Sequence, residues 1–199
     1  MRAFLFVSYY KGEMNENYSK GVVVGLHIVL YEPEIARNTG NIMRTAVAVG
    51  ATLHLIEPLG FDLNDKNVKR SATYHIPLLD YKLYRSYEHF AENNEGSYFF
   101  MTRHASKAPS DFDVASLKES EIYLIFGKES TGLPHELIKT HFEQCFRLPM
   151  TPGTKSLNVS NAVCVVAYEF LRQLNYPGLL RADEAPEGLE RESFDDFSR

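Results

Sequence analysis

Phe126-Gly127-Lys128-Glu129-Ser130-Thr131-Gly132-Leu133-Pro134 is followed by Leu148-Pro149-Met150 and then by Ser156-Leu157-Asn158-Val159-Ser160-Asn161-Ala162. The first of these segments continues an apolar run, Ile122 to Phe126, which reads as a buried strand ending in a turn. Gly127 and Gly132 allow positive φ and a close approach of backbone to a ligand. The third segment opens a long apolar helix and offers several side chains suited to an N-cap. Two loops of this kind at the ends of neighbouring strands make a small-molecule site, and the arrangement points to an enzyme.

Working outward, Leu26 to Tyr31 is almost wholly apolar, as a parallel strand covered on both faces should be. A loop, Glu32 to Arg37, leads to Asn38 or Thr39 as the N-cap of a helix. That helix carries Ile42, Met43, Ala46, Val47 and Val49 at helical spacing and stops at Gly50. Leu53 to Ile56 is a second strand, so the unit is a short right-handed crossover. Asn64 to Ala72 reads as a polar, basic helix, and His75 to Leu79 as a third strand weakened by Pro77. A helix over Ser86 to Asn93 and a strand over Ser97 to Thr102 follow. The strand Ile122 to Phe126, a helix Pro134 to Thr140, a strand Cys145 to Leu148 and a last helix, about Asn158 to Leu174, complete the pattern. Alternating strands and helices predict an α/β fold with a mostly parallel sheet.

The 199 residues fit one ordinary domain with enough apolar content for a core. A net charge of −5 does not mark a nucleic-acid binder by itself. Most of the excess acid lies after Pro177, where Asp183, Glu184, Glu187, Glu190, Glu192, Asp195 and Asp196 face only Arg181, Arg191 and Arg199, which leaves the body near neutral and free to carry a basic face. Cys145 and Cys164 lack metal-ligand spacing and read as buried thiols in a reducing compartment. The opening Met1 to Val7 is too short for a signal segment, and no run is long enough to span a membrane. A cytoplasmic protein is expected, with residues 1–24 peripheral, 25–177 as the functional domain and 178–199 as an acidic tail.

The chain also carries a family likeness. Tyr31-Glu32-Pro33-Glu34-Ile35, Asn38-Thr39-Gly40-Asn41 with Arg44, Ile56-Glu57-Pro58, the Phe126–Pro134 loop, Leu148-Pro149-Met150 and Ser156-Leu157-Asn158 resemble, in order, the SPOUT RNA methyltransferases. The match is closest to the branch that methylates the wobble ribose of tRNA, the tRNA (cytidine/uridine-34-2′-O)-methyltransferases, and covers about residues 25–177. The resemblance implies a C-terminal deep trefoil knot, which periodicity could not reveal. It implies S-adenosyl-L-methionine (SAM) as cofactor, S-adenosyl-L-homocysteine as product, tRNA as substrate, and a homodimer whose active site borrows from both subunits. No metal is called for. The N-terminal extension and the acidic tail depart from the family's minimal core.

Carried residue by residue, the resemblance places Gly127, Gly132, Leu148, Met150, Ser156 and Asn158 at the cofactor, with main-chain groups near Met101 and Thr102. Glu129, in the same loop motif, is placed with the cofactor-binding residues, as a structural or substrate-orienting acid more than a directly catalytic one; its other reading is a surface or helix-capping carboxylate. Arg44 and Asn38 are the candidate catalytic residues. A guanidinium can hold a phosphate and stabilise oxyanion charge, but its pKa above about 12 makes it a poor base. Asn38 would bond the ribose or fix its loop. Tyr168 reads as core, dimer packing or a neighbour of the target nucleotide. Lys66, Lys69, Arg70, Arg103, Lys107, Arg147 and Lys155 are candidates for RNA phosphate. His27, His54 and His75 read as satisfied core or edge histidines. Other readings are a 2′-O-methyltransferase of ribosomal RNA and a non-catalytic knotted RNA-binding protein. A dinucleotide oxidoreductase would need Gly-x-Gly-x-x-Gly after the first strand, and Tyr31 to Asn41 has none.

Overall fold

Leu26–Tyr31 (β1) is apolar on both faces because it lies in the interior of a sheet, between Thr52–Ile56 (β2) and Ile122–Phe126 (β5). This is a computed structural model describing residues 25–72, 78–117 and 121–179. Among the described residues six strands run in the order β3-β2-β1-β5-β4-β6, where β3 is Tyr81–Tyr84, β4 is Ser97–Met101 and β6 is Cys145–Phe146. All of the pairings are parallel. Alternate residues serve opposite faces, as the pleat requires. Ile28, Leu30, Leu124 and Phe126 belong to one core, and Val29, Tyr123 and Ile125 to the other.

Helices Ala36–Val49 (α1) and Val159–Gln173 (α5) cover the first face. Ile42, Met43, Ala46 and Val49 of α1 are buried, while Val47 is only half-buried. Gly50 ends α1 in the left-handed region at φ 66, a conformation that favours glycine. α1 crosses Lys66–Ala72 (α2) through Gly40, where a Cβ would lie 2.6 Å from the Ser71 Cβ. α5 buries Ala162, Val163, Val166, Ala167, Phe170 and Leu171, and full burial of a residue such as Phe170 is worth about 1.5–3 kcal/mol. Tyr87–Glu92 (α3) and His135–Thr140 (α4) pack on the other face through Phe90 and Ile138.

Several boundaries differ from expectation. The third strand is Tyr81–Tyr84, and residues 75–77 of the expected one, His75 included, lie outside the described residues. β3 is an edge strand with only Tyr84 buried, so it has no apolar run to betray it. α1 begins at Ala36 with Ile35 as its cap, not Asn38 or Thr39. Cys145 is buried, with its thiol near the Ile138 and His141 carbonyls, but Cys164 is half-buried.

The histidines on the sheet are satisfied. His27 Nδ1 lies 2.8 Å from His54 Nε2, and His54 Nδ1 lies 3.0 Å from the Tyr84 hydroxyl, forming a row across three strands. His27 Nε2 meets Glu121 at 2.6 Å. Burial, with His27 and Lys82 nearby, pushes the His54 pKa down to about 3.

Candidate active site

The C-terminal ends of three neighbouring parallel strands are level, because Met101 of β4 pairs with Phe126 of β5 and with Phe146 of β6. Open α/β sheets bind ligands at this kind of edge. The Thr102 amide donates to the Phe146 carbonyl at 2.9 Å, extending the alignment by one residue. Thr102 and Leu148 are buried there, while Ser156, Leu157 and Asn158 stand exposed. Beyond β5, Lys128 and Gly132 exchange backbone hydrogen bonds of 3.2 and 3.0 Å. That pair closes a tight loop whose tip is Glu129, Ser130 and Thr131. Gly127 has no room for a side chain, since a Cβ would sit 2.2 Å from the Gly132 carbonyl carbon.

The tip points at the start of α1. The amides of Asn38 and Thr39 both donate to the Ile35 carbonyl, so the first turn closes on Ile35 and the side chain of the buried Asn38 is left to bond across to other loops. Its Nδ2 donates to Glu129 Oε1 at 3.0 Å, and its Oδ1 accepts from Asn158 Nδ2 at 3.0 Å. Asn158 Oδ1 in turn accepts from the Ser160 amide at 2.9 Å and the Ser160 hydroxyl at 2.6 Å. The second Glu129 oxygen accepts from the Glu34 amide at 2.8 Å. An ionised carboxylate only accepts, so the orientation of both asparagine amides follows from this line.

Beside it lies a small hollow lined by Leu30, Pro33, Thr39, Ile42, Gly127, Glu129 and Val159. The Thr39 hydroxyl is fully buried there and makes no hydrogen bond among the described residues.

The structure therefore brings Asn38, Glu129 and Asn158 together and sets Met101, Thr102, Gly127, Gly132 and Leu148 at adjoining strand and loop ends. Asn158 is the α5 cap, accepting from the Ser160 amide; Ser156 does not cap it. Glu129 precedes α4 by several residues and caps nothing, contrary to one expectation for it. Arg44 is exposed on α1, six residues beyond Asn38. That places it about 9 Å along the axis and about 120° around the helix from Asn38. Lys66, Arg70 and Lys155 are exposed, and Arg147 and Met150 are half-buried. The Lys69 side chain lies outside the description. Tyr168 is 43% exposed and so is no core residue. Lys107 is engaged by Glu143 at 2.7 Å, which holds the Glu143 carboxyl below its ordinary range and weakens the case for Lys107 as a phosphate contact.

Sequence reasoning missed Glu34 and Ser130. Their bonds span nearly a hundred residues, and the one available signal was their presence in the two loop motifs.

The SpoU rRNA Methylase family matches residues 25–168. The chain belongs to the SpoU methylase family. Among SpoU relatives, an Escherichia coli (strain K12) protein named tRNA (cytidine(34)-2′-O)-methyltransferase is 41% identical over 160 residues, covering 79% of this chain and 99% of that protein. A solved structure concerned with the 2-OH methylation of C/U34 on tRNA has a TM-score of 0.70 at 38% identity, covering 76% of this chain and 97% of that one. The SpoU methyltransferase AviRb of Streptomyces viridochromogenes, solved in complex with the cofactor AdoMet, has a TM-score of 0.62 at 25% identity, covering 75% of this chain and 57% of that one. The fold is thus the α/β class that the motifs implied, and the chain is a methyltransferase of the SpoU class.

Proposed function

We propose that this protein transfers the methyl group of SAM to the ribose 2′-hydroxyl of the wobble nucleotide, position 34, of tRNA. One observation carries the reading. A chain that spans 99% of the E. coli tRNA (cytidine(34)-2′-O)-methyltransferase at 41% identity joins Asn38, Glu129 and Asn158 in one hydrogen-bonded line.

The residues at the strand ends fit SAM. They offer main-chain groups at Met101, Thr102 and Ser156, an apolar wall at Leu148 and Met150, and unobstructed glycine at Gly132. Adenosine recognition asks for shape and a few polar groups of this kind. Bound there, the cofactor supplies an electrophilic methyl on a good leaving group. The protein's task is then mainly to position the ribose oxygen.

Asn38 and Asn158 each spend one amide hydrogen within the line and keep a second for the ribose or its flanking phosphate. Glu129, fixed by two N–H donors, orients Asn38. Arg44 neutralises a phosphate and steadies developing oxyanion charge. Lys66, Lys69, Arg70, Arg147 and Lys155 contribute phosphate contacts.

The enzyme works in the cytoplasm as a homodimer with a knotted core over residues 25–177. Two features support the dimer. Val165 and Tyr168 lie three residues apart on α5, so they share a face, and both are exposed. Arg44 turns away from Asn38 of its own chain, which suits a site completed by a partner. No helix of the described residues is long and apolar enough to cross a membrane.

The test is methyl transfer from labelled SAM to tRNA lacking the mark, with nucleoside mass spectrometry to place it. The expected product is a 2′-O-methyl group at nucleotide 34. Labelling of ribosomal RNA in place of tRNA would overturn the substrate while keeping the chemistry.

A further inference from the structure

We propose that Glu34 is a positioning residue for methyl transfer: it locks the tip of the Gly127–Gly132 loop to the β1–α1 loop and so aims Glu129 at Asn38. The proposal rests on the function given above. Three consecutive residues of this loop, Lys128, Glu129 and Ser130, are tied to two residues of the other, Glu32 and Glu34. Lys128 Nζ meets Glu32 Oε2 at 2.5 Å, and Glu129 Oε2 accepts from the Glu34 amide at 2.8 Å. The Ser130 amide donates to Glu34 Oε2, and the Ser130 hydroxyl to Glu34 Oε1, each at 2.8 Å.

Glu34 therefore grips the tip twice, through its amide and through both oxygens of its carboxylate. The two Ser130 bonds, aided by Lys128, hold its carboxyl below the ordinary range. Its backbone is braced from behind. The Gly60 amide donates to the Pro33 carbonyl at 2.9 Å, and a Cβ on Gly60 would sit 2.7 Å from the Glu34 Cα. Glu32 is held at φ 46, an uncommon value for a residue with a side chain, by its amide bond to Ile56 and its ion pair with Lys128. The segment Glu32-Pro33-Glu34 is a fixed bracket, and the Glu129 carboxylate is what it holds.

This role is distinct from folding the loop, because the Lys128–Gly132 pair already closes the turn without Glu34. Alanine at position 34 removes both acceptors that hold Ser130, whereas a glutamine amide still accepts from the Ser130 amide and donates to its hydroxyl oxygen. In the alanine variant the tip drifts, and a displacement of about 1 Å at a reacting group can cost up to about a hundredfold in rate.

The experiment compares Glu34→Ala, Glu34→Gln, Ser130→Ala, Glu129→Gln and the Glu34→Ala/Glu129→Gln pair in steady-state methyl transfer, with thermal melts of each. Glu34→Ala should lower kcat by at least about tenfold with little change in the KM for SAM, while Glu34→Gln, which keeps both Ser130 contacts, and Ser130→Ala should lower it less. In the Glu129→Gln background, Glu34→Ala should have no further effect, because its influence passes through Glu129. Multiplying losses, or an unchanged kcat in Glu34→Ala, would overturn the proposal. A second readout is independent of turnover: the NMR signals of the Asn38 side-chain amide and the Ser130 backbone amide should shift and exchange faster in Glu34→Ala. Unchanged signals would refute the bracket. If the wild-type protein methylates no tRNA yet those signals move, the substrate assignment has failed and the bracket stands.

Discussion

Gly127→Ala tests whether the Gly127–Gly132 loop, proposed to hold the cofactor, is built on a backbone contact that admits no side chain. The added methyl would lie 2.2 Å from the carbonyl carbon of Gly132, 2.3 Å from the amide nitrogen of Leu133 and 2.7 Å from the carbonyl oxygen of Gly132. Carbon contacts settle near 3.5–4.0 Å, so the two sides of the loop must part by more than about 1 Å. Every obstructing atom is backbone, so no rotamer change can relieve the clash. Overpacking of this kind costs about 1–3 kcal/mol, and the rigid neighbours put the substitution at about the upper end. For a domain of this size that is a fall in Tm of about 6–12 °C.

Gly132→Ala is the control within the same loop. Its φ is +76, but nothing lies within 4 Å of the added methyl, so only the left-handed backbone penalty of about 1–2 kcal/mol applies. Thermal melts and isothermal titration with SAM would separate the two. Gly127→Ala should be the less stable and should lose cofactor affinity. Equal melting temperatures, or wild-type cofactor affinity in Gly127→Ala, would refute the steric argument and the placement of Gly127 at the cofactor.

Arg44→Ala should retain SAM binding by titration but lose methyl transfer by at least about a hundredfold if its exposed guanidinium serves the substrate as proposed; unchanged turnover would remove Arg44 from the reaction. Thr39→Val should raise stability by about 1 kcal/mol in urea melts, because it replaces a fully buried, unpartnered hydroxyl with a methyl of the same shape; a lower midpoint would mean the hydroxyl has a partner. Acid should weaken the fold through His54. Its folded pKa of about 3 lies below the unfolded value of about 6.5, so the unfolded state alone takes up the proton as pH falls through that window. The loss approaches about 1.4 kcal/mol per pH unit and comes to about 1.6 kcal/mol between pH 6.5 and pH 5. Urea midpoints at the two pH values should show it, with a smaller drop in His54→Gln; equal drops would clear His54.

What could be read from the chain, and what could not, divides along sequence distance. The runs Leu26–Tyr31 and Ile122–Phe126 announce themselves because interior parallel strands are apolar on both faces. Gly50 and Asn158 are legible as helix ends because capping chemistry is local. Asn38 looked equally like a cap, yet its side chain is claimed by Glu129, 91 residues later, and no local pattern could reveal that competitor. Tyr81–Tyr84 escaped notice because an edge strand needs no apolar run. The site itself follows from a single long-range fact. β1 pairs with β5 so that Leu30 stands opposite Phe126, and the loops that follow each strand must therefore emerge side by side. Once that register is known, the meeting of Glu32-Pro33-Glu34 with Lys128-Glu129-Ser130 is nearly forced, because both segments begin within two residues of the paired strand ends. Motifs that look scattered along the chain are thus neighbours by sheet order, and the polar residues they carry have few partners within reach other than each other.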